Sequence, residues 1–219
     1  EMILRFKSLE HQVSHLPLLS IEKMNYEEID FSDYGGIIFT SANAVKFLDS
    51  KHIDKKILCF CVGGATEKKA RSLGFQNVFA ADGNVENLKE LILINFDQKD
   101  GKLIYVSGDI LAVDLEQQLL NEGYYIKRII NYKTIHNEKF DEDFIKELKL
   151  KIPDIVYVYS QNSALSFLNF IKNNQSESLW MDTNLMCISE KTSSILNEIK
   201  WKKIFLFKPG EEEFLLYKI

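Results

Sequence analysis

Six short segments hold the residues of this chain best suited to chemistry. They are Thr40-Ser41-Ala42-Asn43, Gly63-Gly64-Ala65-Thr66, Asp82-Gly83-Asn84, Ser107-Gly108-Asp109, Ser160-Gln161-Asn162-Ser163 and Ser189-Glu190-Lys191-Thr192. Nearly all of their side chains are small, hydroxylated or amide. Each segment follows a short apolar run and precedes a stretch of helical periodicity. At such a junction the first backbone N–H groups of the helix have no partner within it and the helix dipole is positive, so a carboxylate or phosphate is favoured there. The chemistry on offer is the holding of an anion. Ser, Thr, Asp and Asn are also good N-caps, and capping alone explains any one segment. Six of them in duplicated register weaken that explanation for the set.

The remaining reactive side chains offer less. Cys59 and Cys61 stand two apart in an apolar run, so they share one face of a strand as small apolar residues, and no second pair at metal-ligand spacing accompanies them. His11, His15, His52 and His136 are scattered, without a nucleophile and a carboxylate arranged around them. Gly63-Gly64 makes neither a G-x-G-x-x-G fingerprint nor a P-loop with its lysine. Glu211-Glu212-Glu213 reads as the first turn of a closing helix after Pro209, where acids suit the dipole. Tyr132 differs, because it puts a phenol near the end of a long apolar strand; packing and a site role are both open for it at this point.

These loops need elements to position them, and the sequence supplies the elements twice. Residues 37–48 (IIFTSANAVKFL) lie over 157–168 (YVYSQNSALSFL) without a gap, with Thr40 on Ser160, Asn43 on Ser163 and Phe47 on Phe167. Residues 61–79 lie over 187–205, with Cys61 on Cys187, Thr66 on Thr192 and Phe79 on Phe205. A unit of about half the chain is too long for a solenoid repeat and suits two sister domains. Strand-like runs at 35–41, 57–63, 77–81, 102–108 and 124–135 form one group, and 155–160, 185–189 and 203–207 the other. Helix-length segments at 42–50, 65–73, 85–95, 110–122, 162–172 and 191–199 alternate with them, the pattern of parallel α/β sheets.

Residues 8–21 lie over 121–134 in turn, so the first copy lacks the strand and loop that 102–113 give the second. Roughly a dozen residues, one strand and its loop, are therefore expected to be missing on the N-terminal side. The long strands at 12–21 and 124–135 lead from one group to the other and are expected to pair as a hinge, with the duplicated loops facing one another across a cleft. On this reading 1–20 with 137–219 form one lobe, 28–130 form the other, and 21–27 with 131–136 form the hinge ribbon.

Composition narrows the class. Of the 219 residues 46% are hydrophobic, enough for a core in each half. The formal net charge is −5 with no basic stripe, so nucleic acid is a poor partner. No apolar run is long enough to cross a bilayer, and the N-terminus lacks the order of a signal peptide. Three cysteines in no framework spacing fit a reducing cytosol, and the expected location is cytoplasmic.

Taken in order, TSANAV (40–45), CVGGAT (61–66), ARSLGF (70–75), DGNVENL (82–88) and NYKT (131–134), with SLEHQVSHLPLLSIE at 8–22, resemble the uroporphyrinogen-III synthase family over essentially the whole chain. The resemblance implies two α/β lobes, each a five-stranded parallel sheet flanked by helices in flavodoxin-like order. They are joined by a two-stranded antiparallel linker, and one lobe is made from both chain ends. It also implies a lyase of haem biosynthesis that takes hydroxymethylbilane, a linear tetrapyrrole polycarboxylate, and uses no cofactor. The terminal hydroxyl leaves, the last pyrrole ring inverts through a spiro intermediate, and the macrocycle closes. Closure without the enzyme gives the uninverted isomer. The task is then to hold a flexible polyanion in one geometry and to exclude the wrong attack.

By the same resemblance Tyr132 assists departure of the hydroxyl, Thr66 and Thr192 are cleft threonines, and Ser41, Asn43, Ser160 and Ser163 belong to cleft loops. Thr40, Gly64, Asn84, Ser107 and Gly108 complete the expected substrate contacts. The chain departs from the family in three places. A Thr-Arg-Pro-like turn after the first strand is absent, Ser107 stands where an arginine is common, and a Gly-Pro-Thr-Thr-like loop reads Ser189-Glu190-Lys191-Thr192. Loss of arginines bears on how carboxylates are anchored. A monomer is expected, with transient contact to hydroxymethylbilane synthase and with neither nucleic acid nor membrane as partner. Two other readings stand beside this one. One is a non-catalytic two-lobed protein that closes on a small anion; turnover of hydroxymethylbilane separates it. The other is a nucleotide-sugar transferase with two Rossmann-like lobes, for which a nucleotide-induced thermal shift is the test.

Overall fold

The computed structural model describes residues 2–208 and 210–213. The chain divides into two compact units, Glu1–Ser20 with His136–Ile219, and Ile21–Ile135. It opens with α1 (Met2–Ser8) and enters the second unit along β1 (Leu19–Lys23). There follow β2 (Tyr34–Phe39), α2 (Ala42–Phe47), β3 (Leu58–Val62), α3 (Gly64–Ser72), β4 (Asn77–Ala81), α4 (Val85–Asn95), β5 (Lys102–Gly108) and α5 (Leu115–Asn121). The strand β6 (Ile126–His136) leads back to the first unit, which continues through α6 (Glu142–Leu150), β7 (Ile155–Val158), α7 (Gln161–Asn173), β8 (Asn184–Cys187), α8 (Glu190–Ile195) and β9 (Lys203–Leu206). No described helix is long and apolar enough to cross a membrane.

The larger sheet has the order β1-β6-β5-β2-β3-β4. Strands β2 to β6 are parallel. The N–H of Met24 donates to the carbonyl of Asn131 and that of Asn137 to the carbonyl of Leu18, so β1 runs antiparallel to β6. Successive side chains of a strand point to opposite faces. Ile37, Phe39, Cys59, Cys61, Ile104 and Val106 accordingly pack with Ala44 and Val45 of α2 and Ala70 of α3. Ile38, Phe60, Leu103 and Tyr105 pack on the other face with Leu88 and Ile92 of α4 and Leu115 and Leu119 of α5. Covering both faces is what demands nearly unbroken apolar runs from these strands. Gly35 lets the start of β2 pass close to the turn before β5, since a Cβ there would lie 2.0 Å from the backbone oxygen of Asp100.

The strand order differs from the flavodoxin-like one expected. The first parallel strand of the unit, β2, is central, with β3 and β4 on one side and β5 and β6 on the other. A flavodoxin-like sheet would place the third strand beside the first. Because parallel crossovers are right-handed, the direction of travel fixes the face each helix covers. Here α2 and α3 share one face and α4 and α5 the other, so the reversal falls after β4.

The smaller unit holds a parallel sheet in the order β7-β8-β9. Val158, Leu185 and Cys187 pack with α7 and Leu196 around Trp180 and Trp201. Phe6 of α1 lies against Tyr157, ring centroids 5.2 Å apart. Four strands were expected in this lobe, the fifth of its sheet being the one read as missing, and the described residues form three in its sheet. The strand expected over 12–21 contracts to Leu19–Lys23. Its counterpart β6 is held by β5, and among the described residues no strand stands in the equivalent place to hold 12–18; Pro17 also lacks an N–H to donate. Of the closing helix expected after Pro209, Pro209 itself and residues 214–219 lie outside the described residues.

Candidate functional site

Because β2 to β6 run parallel, the loops that follow them gather at one end of the sheet. Thr40, Ser41, Asn43, Gly64, Thr66, Asn84, Ser107, Gly108 and Tyr132 all lie at that end of the 21–135 unit. Ser160, Ser163 and Thr192 lie at the carboxyl end of the three-stranded sheet of the other unit. Strand order reverses between β2 and β5, and open α/β sheets bind ligands at such a switch point, outside the carboxyl ends of the strands.

Polar groups of β5, β6 and the loop after β2 gather there. The hydroxyls of Thr40 and Tyr105 are 3.0 Å apart. Tyr105 is 1% exposed, and burial pushes its phenol above the ordinary range, with the Thr40 hydrogen bond and the Arg128 charge acting the other way. Arg128, opposite Tyr105 on β6, reaches along the sheet to the same end. Its Nε donates to Ser107 Oγ at 2.8 Å, and its Nη2 donates to the carbonyls of Gly108 at 2.7 Å and Asp109 at 3.1 Å. Ser107 is 1% exposed, and its hydroxyl donates to the Gly108 carbonyl at 3.1 Å, so it is committed within the protein.

Tyr132 stands opposite Gly108 across a register shift between β5 and β6. A Cβ on Gly108 would lie 2.6 Å from the Tyr132 ring, so the glycine is what admits that ring. Phe47 flanks it, centroid to centroid at 6.5 Å. The side chain is half-buried, and its hydroxyl has no hydrogen-bond partner among the described residues.

The other loop residues act mainly as caps. Ser41 Oγ accepts from the N–H of Asn43 at 3.2 Å, Asn84 Oδ1 from Asn87 at 3.0 Å, Ser160 Oγ from Ser163 at 3.1 Å and Ser189 Oγ from Thr192 at 3.2 Å. Sequence overlay sets Thr40 on Ser160, yet the caps are Ser41 and Ser160, one step apart; Thr40 is left for Tyr105. Helix α3 differs, because Gly63 at its N-cap has no side chain to accept, and a Cβ on Gly64 would meet nothing within 4 Å. The N–H of Thr66 donates back to the Gly63 carbonyl at 3.2 Å, and those of Gly64 and Ala65 have no acceptor among the described residues. Thr66 and Thr192 are 4% and 1% exposed. Thr192 Oγ1 lies 3.0 Å from Ser189 Oγ, so this threonine is packed into the start of its helix.

Elsewhere the chemistry is quiet. The sulfurs of Cys59 and Cys61 are 3.8 Å apart and buried as free thiols. Their mutual hydrogen bond, and then burial, push the Cys59 thiol far above its usual range, and burial pushes Cys187 up to about 12. With their thiols held protonated, neither Cys59 nor Cys187 is a nucleophile near neutral pH. Among the described residues no group of three or more His, Cys, Asp or Glu side chains is placed to hold a metal ion. In the smaller unit His136 Nδ1 lies 2.5 Å from Ser166 Oγ, on the wall of a polar pocket of about 260 Å³.

Tyr105 and Arg128 were not among the residues expected from sequence. Their signal is slight, each being a polar group inside an apolar run, Tyr105 in KLIYVSG and Arg128 in YYIKRII.

A doubly wound sheet of this kind belongs to the open α/β proteins, whose ligands sit outside the carboxyl ends of the strands at the switch point, and here that place holds hydroxyls, a guanidinium and an unpartnered phenol. Residues 1–209 match the family model described as uroporphyrinogen-III synthase HemD, and the chain belongs to that family, the cyclising hydro-lyases of haem biosynthesis. The crystal structure of uroporphyrinogen-III synthetase from Helicobacter pylori 26695 is similar with a TM-score of 0.67 at 20% identity, covering 93% of this chain and 92% of that one. A mutant uroporphyrinogen III synthase from the extremely thermophilic bacterium Thermus thermophilus gives 0.54 at 15% identity, covering 93% and 88%. At these identities the likeness is one of fold. No curated protein sequence matches the chain.

Proposed function

We propose that this chain cyclises hydroxymethylbilane with inversion of the terminal pyrrole ring, and that it works mainly by positioning. The observation that carries the reading is the free phenol of Tyr132, seated on Gly108 at the switch point of a chain of this family. Substrate carboxylates are held by loop hydroxyls and by N–H groups at helix starts such as Gly64 in α3, which suit anions without strong acids or bases. Thr40, Ser41, Asn43, Thr66, Asn84, Ser107 and Gly108 shape the set in one unit, and Ser160, Ser163 and Thr192 that in the other.

Tyr132 donates its proton to the departing hydroxyl. The C–O bond breaks and water leaves; the proton that the closing pyrrole carbon loses in the last step balances the one given up, reaching the phenolate directly or through solvent. Positioned general acids contribute typically about 10²–10⁴-fold. The carbocation-like end of the chain is then attacked by the substituted carbon of the last ring, and the spiro intermediate reopens and closes with that ring inverted. Holding the polyanion in one geometry selects this attack over direct closure. No cofactor enters the reading. We place the protein in the cytosol as a monomer, in keeping with its three free thiols. Purified chain given freshly made hydroxymethylbilane should consume it well above the spontaneous rate; consumption at the spontaneous rate contradicts the proposal.

A further inference from the structure

The sequence contains three arginines, Arg5, Arg71 and Arg128. Arg5 pairs with Glu213 and Arg71 with Glu67. Arg128 has no carboxylate at ion-pair distance among the described residues; its guanidinium acceptors are the neutral oxygens of Ser107, Gly108 and Asp109. Those bonds use Nε and Nη2. Nη1 has no acceptor among the described residues. The side chain is half-buried, so its charge has lost part of its hydration without gaining an anion.

The acids nearest to it are engaged by backbone. Glu116 Oε1 accepts the N–H of Arg128 itself at 3.1 Å, Asp109 Oδ1 accepts the N–H groups of Ile110 at 2.9 Å and Thr134 at 3.1 Å, and Asp114 Oδ1 caps α5 through Gln117 at 3.0 Å. A guanidinium is a rigid planar fork suited to a carboxylate. Here the fork is fixed in place by three neutral acceptors at the switch point between β2 and β5, with one nitrogen left to donate. We propose that Arg128 anchors a carboxylate of the ligand at the carboxyl end of β5, through Nη1. The proposal rests on the reaction proposed above and deepens it, by naming the cation that holds one acid arm of the substrate.

The test uses the whole chain, hydroxymethylbilane for kinetics, and uroporphyrin III, the stable oxidised form of the product, for binding by fluorescence quenching. Arg128→Gln should raise KM and the uroporphyrin Kd about tenfold or more, equivalent to about 1.4 kcal/mol, with kcat changed much less. The weakening of binding by added salt should become shallower, because a screened charge has gone. Arg128→Lys keeps the charge and should stay within about threefold of wild type at low salt, since a lysine holds phosphates and carboxylates as a point charge. Unchanged KM and Kd in a folded Arg128→Gln protein would overturn the proposal. So would equal losses in the Gln and Lys variants with an unaltered salt dependence, which would leave Arg128 only the holding of the β5 loop. If the wild-type chain leaves hydroxymethylbilane to close by itself, the reaction is wrong; the uroporphyrin titration still decides on Arg128.

Discussion

Gly108 accepts the Arg128 guanidinium on its carbonyl and, lacking a Cβ, admits the Tyr132 ring. An added methyl would lie 2.6 Å from that ring, so Gly108→Ala should displace Tyr132. The melting temperature should fall by the equivalent of about 1–3 kcal/mol, as overpacking usually costs, and turnover should drop at least as far as in Tyr132→Phe. Wild-type turnover in that variant would separate the ring's placement from the reaction. Tyr132→Phe removes a hydroxyl that no described residue bonds, so calorimetry should show little loss of stability. Its turnover should fall at or below the low end of the roughly 10²–10⁴-fold range for a general acid, because the substrate sheds hydroxide unaided. Thr66→Ala and Thr192→Ala should be milder, since the backbone N–H groups at those helix starts remain. A threonine variant that folds and is wholly inactive would contradict positioning. At this scale the capping residues Ser41, Asn84 and Ser160 were readable from their chemistry alone. Arg128 was not. Its placement depends on the β5–β6 register, which sets it opposite Tyr105 with its guanidinium in reach of Ser107, and a single strand's sequence does not state its lateral neighbour.

Helix starts are where the elements meet the site. Ser189 accepts the N–H of Thr192 and lies beside its hydroxyl. Ser189→Ala should cost about 0.5–2 kcal/mol, the usual loss of an N-cap, read as a lower denaturant midpoint; an unchanged midpoint would mean that the loop finds another cap. Apolar runs located the strands well: the run at 57–63 contains β3, Leu58–Val62. Strand order was not legible, because the four helices of the larger unit can each cover either face, and only the crossover that reverses direction fixes the order. The strand expected over 12–21 shows the limit of overlay, since it matches β6 in pattern but among the described residues finds no counterpart of β5 to pair with. Helix α6 went unread although Asp141 caps it through Asp143 and Phe144. Its apolar residues Phe144, Ile145 and Leu148 recur at helical spacing behind that cap, so this element was legible in the sequence.

For the whole molecule, pH offers a test independent of catalysis. Burial, and then the Glu212 charge, push the Tyr157 phenol up to about 12, and the same causes raise Tyr159 further. In the unfolded chain both would titrate near about 10. The folded state therefore keeps protons that the unfolded state has released, and by linkage stability must fall as pH rises from about 10 toward about 12. Denaturant midpoints across that range should decline, less steeply in Tyr157→Phe; a flat profile would show that the two phenols are not held in their protonated form.

The central claim is that the chain holds hydroxymethylbilane so that its last ring inverts before the macrocycle closes. The most direct measurement generates the substrate in place with hydroxymethylbilane synthase, then oxidises the products and separates the porphyrin isomers. The inverted isomer should dominate with wild type, and should still dominate, in smaller total amount, with Tyr132→Phe. Uninverted isomer in the proportion formed without the chain would contradict that claim.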